Sequence, residues 1–148
     1  MLKTVFHFWL GLLAIAPPVF AGEALNIWRS DPAHIFDASE VELSDVIWVA
    51  RPWVVFADSP LDPTFTQQMA LLQAEIAVLQ ERDVMIVVDT DPKAQSTLRK
   101  TLHPNGFNWV LIGKDGKIKL RKPFAWDMRE LSRVIDKMPI RQREMRKP

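Results

Sequence analysis

Asp58, Asp62, Asp89 and Asp91 are the side chains whose type and spacing best suit chemistry in this sequence. Asp58 and Asp62 follow the apolar run Trp53–Phe56, and Asp89 and Asp91 follow Val84–Val88. If these runs are adjacent parallel strands, all four carboxylates meet at one edge, where their oxygens suit a hard cation such as Ca²⁺ or Mg²⁺. The plainer role for Asp58 and Asp91 is to cap turns and helix starts. His34 and His103 are the only histidines beyond residue 21 and stand far apart, so each reads as a loop residue rather than half of a metal site. Ser59 lacks a His and acid partner in a credible order, which disfavours a serine hydrolase. The sequence contains no cysteine, which removes a thiol nucleophile, a thiol redox cycle and a cysteine-bound metal. No catalytic residue is assigned, and no cofactor is expected.

The first 21 residues read as a signal peptide. Lys3 is their only charge, Val5 to Ala16 is apolar, and Val19-Phe20-Ala21 follows Pro17-Pro18 as a small-x-small cleavage site. The run is short of the roughly 20 residues of a spanning helix, so cleavage after Ala21 is expected, with no transmembrane helix afterwards. An exported, periplasmic or extracellular protein follows, one that does without disulfides in an oxidising compartment. Its 148 residues suit one domain, and a 48% hydrophobic content suffices for a core. Beyond residue 21 acids and bases balance, so bulk charge favours no nucleic acid. The distribution is uneven: residues 22–113 hold 6 Lys+Arg against 13 Asp+Glu, and residues 114–148 hold 12 against 5.

The elements that would position these residues can be read in order. Residues 22–47 show weak patterning and are expected to be an irregular lead-in, anchored on the domain by Trp28 and Trp48. Arg51-Pro52 opens a strand whose continuous apolar run suits burial on both faces. Asp58–Pro63 is turn chemistry, and Thr64 is expected to cap one long helix. In that helix Phe65, Met69, Leu72, Ile76 and Leu79 form the buried stripe, with Ala70, Ala74 and Ala77 beside it. Val84–Val88 is a second strand, and Pro92 starts a shorter helix running to about Leu102. Residues 107–112 and 117–121 form a hairpin across Asp115-Gly116. Trp126 to Met138 is a last helix, stopped by Pro139, and residues 140–148 are expected to be a basic polar tail. The fold class is therefore α/β, a thioredoxin-like domain over residues 48–139 with a central mixed β-sheet ordered βαβ, helix, β-hairpin, helix.

Two resemblances sharpen this. The stretch Ser59-Pro-Leu-Asp-Pro-Thr-Phe-Thr-Gln67 resembles the peroxiredoxin loop that carries Pro, Thr and the peroxidatic Cys. On that likeness Thr64 falls on the family's Thr, Gln67 on the peroxidatic Cys, Phe107 near the thiolate-stabilising Arg, and Asn108 on the thioredoxin cis-proline. An amide cannot act as a thiolate nucleophile, so the likeness implies a redox-inactive relative. Arg51-Pro52 with Val54–Ala57, then Leu111–Gly116 with Lys119–Arg121, then Ile135–Pro139 with Arg141-Gln142 and Glu144-Met145 together resemble the bacterial domain-of-unknown-function 4174 family, exported thioredoxin-like proteins. The resemblance spans about Trp48 to Arg146 and implies no activity. The expected function is a non-catalytic binding or interaction module that meets another envelope protein or peptide through Asp58, Asp62, Thr64, Gln67, Asp89 and Asn108, or through the basic hairpin face of Lys117, Lys119 and Arg121, which also suits an acidic partner or lipid headgroups. The alternative is an enzyme of altered chemistry, using metal held by the aspartates or a partner's thiol.

Overall fold

The structure is a computed structural model that describes residues 22–147; the expected signal peptide lies outside them. Five strands form one mixed sheet in the order β1-β3-β2-β4-β5: β1 Ile35–Asp37, β2 Arg51–Phe56, β3 Val84–Asp89, β4 Asn108–Ile112 and β5 Ile118–Lys122. β1 and β2 both run parallel to β3, while β4 pairs antiparallel with β2 and with β5. The crossover from β2 to β3 is α3 Pro63–Ala74 followed by α4 Ile76–Gln80.

The central strands β2 and β4 are buried along their whole length, and successive residues serve two different cores. Val54, Phe56, Met85, Val87, Val110 and Ile112 face α1 Glu23–Ser30, α2 Leu43–Val46 and α5 Thr97–Leu102, which supply Trp28, Val46, Leu98 and Leu102. Trp53, Val55, Ile86, Trp109 and Leu111 face Leu72 of α3, Leu79 of α4, and Met128, Leu131 and Ile135 of α6 Met128–Asp136. Burial of each such large side chain contributes about 2 kcal/mol, and together they hold a three-layer α/β/α domain without a disulfide.

The structure corrects several expectations. Residues 22–47 are not irregular: they form α1, β1, a 3-10 turn at Ala38–Glu40 and α2, and β1 adds an edge strand. Trp28 does anchor this segment, since its indole Nε1 donates to the Val84 carbonyl at 3.3 Å, but Trp48 does not, because its side chain is exposed outside both cores. The crossover is two helices, because the backbone at Glu75 leaves helical geometry (φ −139°, ψ 32°). Ala70, Ala74 and Ala77 face water. The helix after Pro92 is likewise divided at Gln95, whose φ is +49°. The tail is largely helical: α7 Pro139–Arg146 starts with Pro at its first position and docks on the domain through Glu144.

Candidate functional site

Register places the sequence-predicted residues at one end of the sheet. Phe56, last in β2, lies opposite Asp89 of β3 on one side and Asn108 of β4 on the other. Asp58, Asp62, Thr64 and Gln67 follow from the loop after β2 and the first turns of α3. Carboxyl ends of parallel strands and a helix start thus converge, the usual place for a site in an open α/β sheet.

The four aspartates do not gather. Among the described residues no three His, Asp or Glu side chains are grouped so as to hold a metal ion. The reason is the engagement of Asp89, which is buried. Its Oδ1 accepts from Arg99 Nη2 at 2.8 Å and Nε at 3.2 Å, and its Oδ2 accepts from Ser96 Oγ at 2.5 Å. Ser96 Oγ in turn caps α5 by accepting from the Arg99 amide at 3.0 Å. Arg99 Nη2 also donates to the Ala57 and Asp89 carbonyls, each at 3.1 Å, closing the ends of β2 and β3 together. Its guanidinium carbon stands 5.3 Å from the centre of the Phe56 ring. A cation at Asp89 would have to displace an arginine already bound there.

The other acids have local duties or none. Asp62, not Thr64, caps α3: its Oδ1 accepts from the Thr64 amide at 2.8 Å and the Phe65 amide at 3.0 Å. Asp91 Oδ1 accepts from the Lys93 amide at 3.1 Å, so it caps the short turn at Pro92–Ala94. Asn108 is buried, and its Oδ1 accepts from Arg121 Nη1 at 3.2 Å while Arg121 Nη2 donates to the Leu102 carbonyl at 2.7 Å. No cis peptide bond occurs among the described residues. Asp58 and Gln67 are exposed and Thr64 is half-buried, beside the exposed Leu61 at the loop tip.

Sequence reasoning missed Arg99, Ser96 and Gln68, and it put Arg121 on an exposed strand face, whereas that side chain is half-buried against Asn108. Gln68, not Gln67, is the buried amide of α3. It holds both polar groups of Trp126, accepting from the amide at 2.8 Å and donating to the carbonyl at 3.0 Å. Trp126 stacks on Trp109 at 5.5 Å, and Lys122 lies 5.3 Å over its ring. Four residues before Leu72, Gln68 lies on the apolar stripe, which was the available signal.

A second polar cluster occupies the opposite end, where β2 and β3 begin. Arg51 is only 1% exposed. Its Nη2 donates to both carboxylate oxygens of Glu144 at 3.1 Å, and its Nη1 donates to the Arg82 carbonyl at 2.8 Å. Lys114 Nζ joins Glu144 and Asp83 at 2.7 Å each. Burial works to raise the Glu144 pKa, but the Lys114 hydrogen bond and the Arg51 charge prevail and hold it below the usual carboxylate range. Asp136 is held low chiefly by hydrogen bonds from Arg82, with burial opposing and Arg141 assisting. Arg51, Lys114, Asp136, Arg141 and Glu144 of the family-like motifs thus meet at this end, whereas Arg121 lies beside Asn108 at the other.

The fold has known counterparts. A reduced 2-Cys peroxiredoxin from Plasmodium vivax superposes with a TM-score of 0.55 at 16% identity, over 71% of this chain and 85% of that one. Plasmodium yoelii Prx1a, modified at its N-terminus into an artifactual octamer, gives 0.52 at 16% identity, over 72% of this chain and 82% of that one. Peroxiredoxins have a thioredoxin fold, and at this identity the likeness establishes the fold alone. No curated protein matches the sequence. The profile of the domain of unknown function DUF4174 matches residues 42–144, which takes in the strand-end surface and the Arg51–Glu144 cluster alike. The chain belongs to the DUF4174 family.

Proposed function

We propose that this is a non-catalytic thioredoxin-fold module of the cell envelope, exported by a signal peptide over residues 1–21, that binds another envelope protein or peptide. The observation that carries the reading is the state of the strand-end surface. Where a peroxiredoxin-like loop would carry its sulfur, Gln67 offers an exposed amide. Asp89, the one buried carboxylate at that end, is occupied by Arg99 and Ser96. What remains at the surface is Asp58, Thr64 and Gln67 around Leu61, hydrogen-bonding groups beside an exposed apolar side chain, which is the make-up of a recognition patch rather than of an acid–base pair. Among the described residues no helix is long and apolar enough to cross a membrane.

A photo-crosslinking residue at Gln67, introduced into the chain in living cells, tests the reading. The expected result is one dominant adduct from the envelope fraction, lost when the residue is moved to the exposed Ala74 on the same helix. Purified protein that reduces peroxide or the disulfides of insulin would overturn the non-catalytic reading.

A further inference from the structure

Trp48 is out of place by every structural criterion. It is 68% exposed, and its φ of +66° puts it in the left-handed region, which strains a residue with a Cβ and which glycine adopts freely. Its side chain lies outside both cores, and its amide donates to the Lys114 carbonyl at 2.6 Å. Neither packing nor backbone geometry accounts for an indole there. Ile47, its neighbour, is exposed and lies against Gly116 of the β4–β5 turn, and Ile118 just beyond that turn is 51% exposed. Three large apolar side chains therefore project around one hairpin tip.

The charges around them that lack a partner are predominantly basic. Lys114 links this tip to α7, because its carbonyl holds Trp48 and its ammonium holds Glu144. Most acids of this end are engaged: Glu144 on Arg51 and Lys114, Asp83 on Lys114, Asp115 on Lys119, and Asp136 on Arg82, while the exposed Glu81 reaches Arg82 only at 3.5 Å. Hydrogen bonds from Lys119 hold the Asp115 pKa low despite slight burial, in keeping with that engagement. Glu42 and Asp45, at the start of and within α2, line a groove together with Ser96 and Thr97. Lys117, Arg143, Arg146 and Lys147 have no acidic partner among the described residues and are exposed, as is Met145.

We propose that this end of the domain is a peripheral membrane-docking surface, with Trp48, Ile47 and Ile118 inserting at the headgroup level of an anionic lipid bilayer and the free basic side chains meeting its phosphates. An amphipathic indole suits that depth, and each basic side chain near an anionic surface strengthens attachment roughly fivefold. Charge complementarity is what selects an anionic bilayer over a neutral one. The surface is at the opposite end of the strands from Asp58, Gln67 and Asp89, so docking would leave the strand-end patch facing away from the lipid.

The test is co-sedimentation of the full chain, as the cell processes it, with vesicles of neutral phosphatidylcholine alone or mixed with phosphatidylglycerol. Binding is expected to the mixed vesicles only, and to weaken as salt rises. Trp48→Gly is the informative variant, because it removes the indole while relieving the positive φ: partitioning should fall about tenfold with Tm unchanged or higher. Arg143→Gln with Arg146→Gln should lower partitioning by an order of magnitude or more and flatten the salt dependence. Equal binding to neutral and mixed vesicles, no binding to either, or binding untouched by Trp48→Gly would each overturn the proposal. So would concentration-dependent dimerisation abolished by Trp48→Gly without vesicle binding, which would make the patch a self-association face.

Discussion

Glu144→Gln isolates the one contact on which docking of the final helix depends. In the folded chain Glu144 gives both carboxylate oxygens to Arg51 at 3.1 Å and one to Lys114 at 2.7 Å. Arg51 is 1% exposed and keeps only the Arg82 carbonyl if Glu144 loses its charge, whereas Lys114 keeps Asp83. Stranding a buried charge costs about 3–5 kcal/mol at full burial. Glu144 is 24% exposed and sits on the last helix, so water can reach the gap, and about 2–3 kcal/mol is the better figure. For a domain of this size that is a fall in Tm on the order of 10 °C. Arg51→Met should cost less, about 1 kcal/mol, because Glu144 retains Lys114 and, at 3.5 Å, Arg141. The double variant should be less damaging than the two effects added, by about 1–2 kcal/mol. Urea unfolding followed by far-UV circular dichroism measures all three. If Glu144→Gln unfolds within about 0.5 kcal/mol of the parent, or Arg51→Met proves the worse of the two, the ion-pair account of this end is wrong.

Acid should act on the same cluster. Glu144 and Asp136 have pKa values lowered from 4.5 and 3.8 by their basic partners, so their contribution is complete above about pH 4.5 and is lost as pH falls through the lowered folded values; a Tm series to about pH 3 should show that loss, with a shallower acid limb in Glu144→Gln. Asp89→Asn should destabilise by about 3 kcal/mol in thermal melts by leaving Arg99 without its counter-charge. Millimolar Ca²⁺ or Mg²⁺ should leave the Tm of the parent unchanged, and a clear rise would mean that the aspartates gather a cation after all. Gln68→Leu should cost about 2 kcal/mol in urea unfolding by orphaning the Trp126 amide and carbonyl, and should alter the near-UV signal of the Trp109–Trp126 stack.

What could be read in the sequence followed from local signals strong enough to act alone. The continuous apolar runs became β2 and β3, and the Asp115-Gly116 turn, with Gly116 at φ +76°, joins β4 to β5. β1 escaped because three residues carry no period, and its strand character comes from pairing with Ile86, Val87 and Val88, about 50 positions on. α7 escaped for a related reason: its sequence is too polar to announce a buried face, and what docks it is a charge pair spanning 93 positions. At the site, Asp58, Asp62, Asp89 and Asn108 were brought to one end as the βαβ reading required, but Arg99 lay outside the pattern. No spacing rule links an arginine inside a short helix to an aspartate ten residues back, since only their packing over Phe56 brings them together.

The uneven charge distribution has a physical resolution that composition alone could not supply. Two opposed halves might neutralise one another by pairing their majority charges. Here the principal buried pairs across the halves do the reverse: Arg51 and Arg82, basic residues of the acidic half, take Glu144 and Asp136, acids of the basic half. Lys114–Asp83 and the largely exposed Arg129–Glu75 run the other way. Consuming the minority charges leaves each half with more of its own sign facing water. The exposed Asp37, Asp58 and Asp91 stand at or just beyond the ends of the parallel strands at one edge, while α7 carries Arg143 and Arg146 beyond the start of β2. Such a molecule orients itself in any field or at any charged surface. Of the family-like motifs, Arg51, Lys114 and Glu144 meet at the basic end and Arg121 lies beside Asn108 at the other, so the stretch that matches the family spans both ends of the molecule.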